Sequence, residues 1–358
     1  LKVSPSVKGK LIPAFGKSDQ GFLDLQKEHP EHKALWEARL ASKSRINETR
    51  AQRFIDATLP DGTIPMPLKF YGAHTGRFSG GEKMNVQNMP RGGELRLSLC
   101  SPEDELVYVI DLSQIEARLL AWLANERKIS SIFEAKGDVY ADFASRFYKE
   151  PINKDDHPIK RFVGKTSVLG LGYGVGHLKF HTILTTGAMG PPVDITLGEA
   201  RSLVDFYRRE YSMVPKLWRR AKDLIYKMCD PRQEGYSYGP LTVGDECLIL
   251  PNGLSLQYPG LKSLNGEGYY NARGAYIKLY GAKLVENIIQ ALARIVICDA
   301  MVKANEYFKT LGGRCVLQVH DEIVLVGPKK NPDRHFKVLH DIVTCLLYTS
   351  DAADEEDS

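Results

Sequence analysis

Residues 317–326 constrain the fold of this chain more than any other stretch. Two short apolar runs, Leu-Gln-Val and Ile-Val-Leu-Val, flank His320, Asp321 and Glu322. Short apolar runs that are interrupted by polar residues predict a β-hairpin, with the acids presented at its tip. Desolvating an aspartate there is costly unless a cation meets it, so the pattern indicates an acidic functional site.

A second apolar run, residues 106–110, leads directly into another aspartate, Asp111. Two strand-borne aspartates, remote in the chain, are what a two-metal phosphoryl-transfer site requires, because paired cations clamp the attacking and leaving oxygens. The structural alternative is that each aspartate forms a turn or caps a helix, which is the commoner role of an isolated aspartate after a strand. The choice between the two depends on the neighbouring motifs.

The composition allows a large core and leaves several function classes out. The 358 residues are 43% hydrophobic and 26% charged, which predicts roughly two or three domains. A net charge of +4 favours a nucleic-acid partner only weakly. The six cysteines form no Cys-x-x-Cys pair, which argues against a zinc site or a disulfide framework and favours a reducing cytosol. No apolar run approaches the length of a membrane span, and the first residue, Leu1, indicates a fragment.

Periodicity predicts a mixture of helices and short strands. The strands are predicted at 105–111, at short segments within 236–262, and in the hairpin at 314–327. The helices are predicted at 31–56, 114–125, 139–149, 157–170, 198–211, 215–229, 283–308 and from about Pro332 onward. Because βαβ regularity is missing, the predicted fold class is mixed α/β (α+β) and not a doubly wound sheet.

The helix that starts at His157 carries a stripe of functional residue types. Arg161, Lys165, Leu169 and Tyr173 recur every four residues and therefore share one face. Two cations followed by an apolar and an aromatic residue suit a nucleotide, with the phosphates bound first and the base further on. The alternative is a solvated basic stripe. Three glycines between 170 and 174 weigh against that alternative, because each costs a helix about 1 kcal/mol and indicates close approach or a hinge.

Two further segments have both a structural and a functional interpretation. Ser113 and Glu116 have the spacing of a helix capping box, whereas the functional interpretation places Glu116 against a substrate sugar. Residues 75–79 and 85–91 form a loop rich in amides, hydroxyls and arginines. Such groups suit sugar, phosphate or minor-groove contacts, although a polar turn cluster has the same composition.

Together these segments resemble the family A DNA polymerases (the bacterial DNA polymerase I family), and most of all their phage versions. The stretch at Asp111 is similar to Asp-x-Ser-Gln-Ile-Glu-x-Arg, and the hairpin to Gln-Val-His-Asp-Glu. The helix resembles Arg-x3-Lys-x3-(Phe/Tyr)-Gly-x2-Tyr-Gly, and the loop resembles Thr-Gly-Arg-x-Ser followed by Asn-x-Gln-Asn-x-Pro. All four motifs occur in the family's order, and the resemblance covers about residues 31–343.

The resemblance implies a set of catalytic and nucleotide-binding roles. Asp111 and Asp321 would hold two Mg²⁺ ions, with Mn²⁺ as a substitute, and Glu322 would be a supporting carboxylate. Glu116 would exclude a ribose 2′-OH. Arg161 and Lys165 would contact the triphosphate, and Lys165 would also act as the acid for the leaving pyrophosphate. Leu169 would lie near the sugar and Tyr173 beside the templating base. Tyr140 and Arg91 would contact phosphate or sugar.

The DNA contacts follow from the same resemblance. Arg77 would probe the minor groove beside the primer terminus, and Gln290 the template side. Asn85, Gln87 and Asn88 would line the duplex path, and His320 would lie near the primer end.

The sequence departs from the family at several positions. Leu169 stands where an aromatic residue usually stacks near the incoming sugar, which puts sugar discrimination in question. Phe162, Thr166 and Glu286 also replace commoner residues. The first 60 residues carry no acidic pattern of a proofreading exonuclease.

The implied architecture is a right-hand palm with an antiparallel sheet, helical fingers and a partial thumb. The expected subdomains are partial thumb and palm entry at 1–70, palm at 71–130 and 262–345, fingers at 131–261, and a non-native or disordered tail at 346–358. The implied partners are primer–template DNA and dNTPs, without a membrane, and replisome proteins (helicase, primase, processivity factor) that the sequence does not specify. For a phage-encoded chain the location would be the host cytoplasm.

Two alternatives stay open at this point. A single-subunit RNA polymerase shares the palm, although a glutamate beside the sugar disfavours ribonucleotides. The second alternative is a fragment that binds nucleic acid without turnover. It stays open because most of the thumb and the closing strand are missing from the sequence pattern.

Overall fold

The structure is a computed structural model that describes residues 3–5, 11–13, 20–42, 46–89, 93–264, 267–272 and 274–348. The chain forms two compact units. The first contains Leu1–Pro65 with Pro90–Ser98, and the second contains Met66–Met89 with Leu99–Ser358. No helix among the described residues is both long and apolar enough to cross a bilayer.

The helices occur in both units. They are α1 (Gln20–Glu28), α2 (Lys33–Ser42), α3 (Ile46–Ala57), α4 (Glu94–Leu97), α5 (Ile115–Ala124), α6 (Arg127–Glu134), α7 (Val139–Tyr148), α8 (Pro158–Leu171), α9 (His177–Thr186), α10 (Leu197–Glu210), α11 (Met213–Met228), α12 (Gly281–Lys309) and α13 (Pro332–Tyr348).

The strands are short, and those described here pair antiparallel. They are β1 (Val3–Pro5), β2 (Leu11–Pro13), β3 (Leu68–Lys69), β4 (Ser79–Gly80), β5 (Glu105–Asp111), β6 (Ser237–Tyr238), β7 (Leu241–Gly244), β8 (Cys247–Ile249), β9 (Ser255–Gln257), β10 (Lys262–Leu264), β11 (Glu267–Ala272), β12 (Ala275–Leu279), β13 (Arg314–Val319) and β14 (Glu322–Pro328).

In the first unit, α1 and α2 meet through aromatic side chains. Phe22 of α1 is completely buried and meets Trp36 of α2 edge to face, with ring centroids 5.9 Å apart. The indole N–H of Trp36 donates to the carbonyl oxygen of His29 at 3.0 Å. The helical pattern predicted for 31–56 is present as α2 and α3, two helices instead of one.

The second unit is organised around the three-stranded sheet β13-β14-β5. Alternate residues of β5 and β14 point inward, and Tyr108, Ile323 and Leu325 are completely buried. Tyr108 meets Phe308 of α12 edge to face at 5.0 Å between centroids, a contact worth about 0.5–1.5 kcal/mol beyond its burial. One face of the sheet therefore packs on the long helix, and the hydrophobic effect fixes the strand register because a slip of one residue would expose that face.

The helices after β5 form a second part of the same core. Phe143 of α7, Phe180 of α9 and Tyr207 of α10 are completely buried. Two N-caps set where helices begin. Asp138 accepts from the backbone amides of Tyr140 and Ala141 in α7, and Thr196 forms a reciprocal capping box with Glu199 on α10.

The glycines that follow Lys165 have different surroundings. A Cβ on Gly172 would lie 2.6 Å from Cδ2 of Leu120, and one on Gly174 would lie 2.7 Å from Cβ of Ala282. Gly174 also has a φ of +78°, which side chains rarely adopt. Close approach to α5 and α12 explains these two positions. A Cβ on Gly170 would meet nothing within 4 Å, so close approach does not explain that glycine.

The C-terminal helix α13 is longer than the sequence predicts. It begins at Pro332 and reaches Tyr348, so the first three residues of the expected tail are helical. Residues 349–358 lie outside the described residues.

Candidate active site

Three acidic residues lie at one end of the central sheet. Asp111 is the last residue of β5, and its strand partner is Glu322, the first residue of β14. The backbone N–H of Leu112 donates to the carbonyl oxygen of Asp321 at 3.0 Å. Because directly opposed residues of antiparallel strands have Cβ atoms about 4.5–5.5 Å apart, the backbone pairing itself brings the acids together.

Asp321 is part of a two-residue turn with His320, and Glu322 follows that turn as the first residue of β14. Val319 and Glu322 are the last strand pair, and His320 has a φ of +55°. A positive φ is uncommon outside glycine and clusters at functional positions. The side-chain amide of Gln318 donates to the carbonyl oxygen of His320 at 2.9 Å, which supports this turn.

The loop at 85–88 supports the hairpin from one side. The side-chain amide of Gln87 donates to the carbonyl oxygen of Gln318 at 3.0 Å, and both glutamines are buried. Asn85 caps the short 3₁₀ turn at 86–88 by accepting from the backbone N–H of Gln87. Gln87 thus positions the hairpin, whereas Asn88 is exposed on the surface.

Glu116 lies in the first turn of α5 and is held by two side chains. Its Oε1 accepts from the guanidinium of Arg77, and its Oε2 accepts from the hydroxyl of Tyr173 at 3.2 Å. Burial raises the pKa of Tyr173 well above its usual value, and the negative charge of Glu116 adds to that rise. The hydroxyl therefore stays protonated and remains a donor at physiological pH.

The capping-box interpretation of Ser113 and Glu116 is wrong. Residue Gln114 is the N-cap of α5, it has a left-handed φ of 60°, and its side chain makes no capping hydrogen bond. The left-handed N-cap turns the chain sharply between β5 and α5, which leaves the carboxylate of Glu116 to meet Arg77 and Tyr173.

Arg161, on the first turns of α8, faces α7. Its Nε lies 2.5 Å from Oδ2 of Asp138, and its guanidinium carbon lies 5.6 Å from the ring centroid of Tyr140. Burial raises the pKa of Tyr140 to about 12, Arg161 lowers it, and the carboxylates of Asp138, Asp321 and Glu116 raise it further. Those contributions place the Tyr140 hydroxyl within the electrostatic reach of both the hairpin and α5.

The other predicted residues are placed as follows. Lys165 is exposed one turn beyond Arg161, and Leu169 is half-buried against the core. Gln290 of α12 accepts from the hydroxyl of Thr75 at 3.4 Å. Thr75 lies two residues before Arg77 in the chain. Arg91 lies outside the described residues.

One contributor to this site was not predicted from the sequence. Asp138 is the ion-pair partner of Arg161 as well as the N-cap of α7. An aspartate immediately before a helical pattern signals the cap. Its pairing with Arg161, 23 positions later, depends on how α7 and α8 pack and has no local signal.

The acids suit a divalent cation that is shared with a substrate. The described residues contain no cluster of three or more His, Cys, Asp or Glu side chains that could hold a metal ion by themselves. Mg²⁺ is commonly bound by one or two carboxylates together with substrate phosphates, so a pair of aspartates is a sufficient protein contribution. Carboxylate oxygens are also the ligand type that this hard cation prefers.

Comparison with known proteins assigns the chain to a family. The family model for DNA polymerase family A matches residues 11–229, more than half of the chain. The chain therefore belongs to DNA polymerase family A. The matched span includes Asp111 and α8 but ends before the hairpin that carries Asp321.

Curated relatives and a solved structure agree with that assignment. The chain is 27% identical to the DNA polymerase of Bacillus phage SP02, over 90% of this chain and 56% of the phage protein. It is 25% identical to the thermostable DNA polymerase I of Thermus aquaticus, over 90% of this chain and 36% of that protein. The chain thus spans only about a third to a half of these relatives.

The fold matches a polymerase domain as well. The polymerase domain of Pol1 from M. smegmatis, solved with DNA primer-template and dNTP, superimposes with a TM-score of 0.72 at 21% identity. The match covers 97% of this chain and 55% of that one. The predicted mixed α/β polymerase fold is confirmed.

Proposed function

We propose that this chain is the nucleotidyl-transferring part of a DNA polymerase that extends a DNA primer with dNTPs. The reaction is attack of the primer 3′-OH on the α-phosphate of the dNTP, with release of pyrophosphate. The main supporting observation is the strand pairing that brings Asp111 beside Glu322, next to Asp321. A relative encoded by a Bacillus phage supports a role in phage genome replication.

Asp111 and Asp321 are the metal-binding residues of the proposal. They would hold two divalent cations, Mg²⁺ or Mn²⁺, which stabilise charge on the attacking and leaving oxygens when bound. Glu322, on the adjacent position of β14, would keep the local charge negative. Rigid backbone pairing fixes the acids before substrate arrives, so little reorganisation is needed in the transition state.

The incoming triphosphate is assigned to the side of the site formed by α7 and α8. Arg161 and Lys165 supply positive charge one helical turn apart, and Tyr140 lies beside Arg161, with a pKa that the carboxylates of Asp321 and Glu116 help to raise. The guanidinium of Arg161 is anchored to Asp138 through Nε. Its terminal nitrogens are the groups that the proposal assigns to phosphate oxygens, and Lys165 would protonate the leaving pyrophosphate.

The sugar of the dNTP is assigned to Glu116. Since Arg77 and Tyr173 hold both carboxylate oxygens, Glu116 cannot swing away readily to admit a 2′-hydroxyl. Leu169 supplies no ring to stack on the sugar, so the discrimination depends more heavily on Glu116. Tyr173 itself would flank the templating base.

The DNA-binding roles belong to groups around the hairpin and on α12. Arg77 and Gln290 would contact the minor-groove edges of the terminal base pair, and Thr75 orients Gln290. His320 would lie near the primer end. Asn85 and Asn88 would face the duplex, and Gln87 would support the hairpin from within. Arg91 keeps its assignment to phosphate or sugar only as a sequence prediction.

Substituting either aspartate tests this proposal. We expect Asp111→Asn or Asp321→Asn to reduce Mg²⁺-dependent primer extension at least about a thousandfold, because charge clamping supplies several kcal/mol. Binding of primer–template should persist, and Asp104→Asn, just before the other end of β5, should extend normally. Undiminished extension by either aspartate variant would refute the assignment.

The same assay separates the two alternatives. An RNA polymerase would extend with rNTPs in preference to dNTPs, which the family assignment and Glu116 both oppose. A binding fragment without turnover would hold DNA with a steep salt dependence and extend with neither substrate.

A further inference from the structure

The three-stranded sheet β10-β11-β12 presents an aromatic and basic face that has no role in the site above. Directly opposed residues of paired strands point to the same side, and Lys262, Tyr269 and Lys278 are opposed across the three strands. Asn271 and Tyr276, also opposed, lie two residues along and therefore share that side. Leu264 and Glu267, opposed at the other end of the sheet, share it as well, so seven residues define the outer face.

The opposite side of the sheet packs on the core. Leu279 is almost completely buried, and Tyr270 meets Tyr258 edge to face with centroids 5.2 Å apart. A Cβ on Gly268 would lie 2.6 Å from Cγ2 of Ile225 on α11. This side packs on the core at Gly268, Tyr270 and Leu279, although Ile277 is 45% exposed, and the outer face points away from these contacts.

The outer face combines an accessible ring with positive charge. Tyr276 is 55% exposed, and Nζ of Lys262 lies 3.9 Å from its ring centroid. Lys278 forms an ion pair with Glu267. Within the three strands, two lysines stand against one glutamate, a net charge of +1. An exposed tyrosine beside a lysine on a sheet suits a stacked base and its phosphate.

The sheet leads directly to the template side of the proposed active site. Tyr280, 46% exposed, follows β12 and is the N-cap of α12. The second residue of α12, Ala282, approaches Gly174, which follows Tyr173 in the chain. The end of β12 is thus three residues from a contact with the loop that follows Tyr173.

We propose that the outer face of β10-β11-β12 binds unpaired template DNA ahead of the templating base, with Tyr276 stacking on a base. The identity of the strand as template rests on the proposed function, but single-stranded binding does not. The three strands are about 10 Å across, which accommodates two or three nucleotides.

The test compares two template overhangs with the full chain. Affinity is measured for a primer–template with a one-nucleotide 5′ overhang and for one with an overhang of ten. Tyr276→Ala should lose about 5- to 150-fold in affinity for the long overhang, the range for one stacked base, and little for the short one. The matched control is Tyr236→Ala, since Tyr236 is 42% exposed and also carries a lysine 3.9 Å from its ring centroid. It should leave both affinities unchanged.

Equal affinity of Tyr276→Ala and the unsubstituted chain for the long overhang overturns the inference, and so does an equal loss for both overhangs.

A second readout needs no variant. Photo-crosslinking from 5-iododeoxyuridine in the overhang should label the peptide 262–280, and labelling only elsewhere overturns it as well. If the chain binds the long overhang through Tyr276 but extends no primer, the proposed function fails alone. If the chain extends primers and Tyr276→Ala leaves the affinity for the long overhang unchanged, only this inference fails.

Discussion

Removing one hydroxyl should loosen the choice between deoxyribose and ribose. In Tyr173→Phe, Oε2 of Glu116 loses the donor that lies 3.2 Å away, whereas Arg77 still holds Oε1. A hydrogen bond to a charged group contributes about 1.5–3 kcal/mol, and the length of this one favours the lower end. The side chain of Glu116 is only 25% exposed, so water replaces the bond poorly.

The expected effect is therefore about a tenfold fall in the ratio of kcat/KM for a dNTP over the matching rNTP. The assay is single-nucleotide incorporation on one primer–template at saturating Mg²⁺, with each nucleotide titrated separately. Most of the change should appear as faster rNTP incorporation, because Glu116 no longer resists displacement by a 2′-hydroxyl.

Tyr207→Phe is the matched control, since the hydroxyl of Tyr207 is buried and has no hydrogen-bond partner among the described residues. It should keep the original selectivity. If Tyr173→Phe discriminates like the unsubstituted chain, the hydrogen bond to Glu116 does not position the carboxylate. If both variants lose selectivity equally, a general loosening of the core explains the effect instead.

Two further predictions concern stability. Burial raises the pKa of Tyr207 and Tyr258 above the usual value of 10 in the folded chain. As the pH rises, the unfolded chain therefore loses these protons at a lower pH than the folded chain does. Stability should be complete below pH 10 and fall above it by about 1.4 kcal/mol per pH unit for each such tyrosine. Urea unfolding at pH 9, 10 and 11 measures this slope, which Tyr207→Phe should flatten; an unchanged midpoint up to pH 11 contradicts it. Separately, buried His335 bonds the Tyr307 hydroxyl at 2.8 Å and the Lys330 carbonyl at 2.9 Å. His335→Phe should cost about 1–3 kcal/mol in urea unfolding, whereas exposed His340→Phe should cost little; equal midpoints would show that these bonds are unimportant.

The sequence predicts best those features whose signals are local. The hairpin at 314–328, the strand that ends at Asp111 and the long helix α12 all follow from apolar periodicity and turn residues. That the strand and the hairpin meet was predicted from chemistry alone, because two aspartates can share metal ions only if they lie close together. The structure places these strands side by side.

The sequence fails where side chains meet through tertiary packing. Arg77 and Tyr173 reach Glu116 from 39 and 57 positions away, and no local pattern encodes either contact. The capping-box error has the same origin, because the spacing of Ser113 and Glu116 is compatible with two backbone paths. Only the left-handed conformation of Gln114 selects between them.

The sheet β10-β11-β12 was also not predicted from the sequence. Its strands are short, and the stretch 265–274 carries three glycines and two asparagines, residues that usually indicate turns. Pairing with neighbours and packing on α11 override those preferences, because β-propensity depends strongly on context.

The pairing of Asp111 with Glu322 has a consequence for biosynthesis. These residues are more than two hundred positions apart, so the acidic end of the sheet is incomplete until β14 has left the ribosome. Until then β5 lacks β14, the strand that pairs with it among the described residues, and it is the kind of exposed strand that chaperones protect. The proposed metal site is therefore completed in one step of chain synthesis, when β14 becomes available to pair with β5.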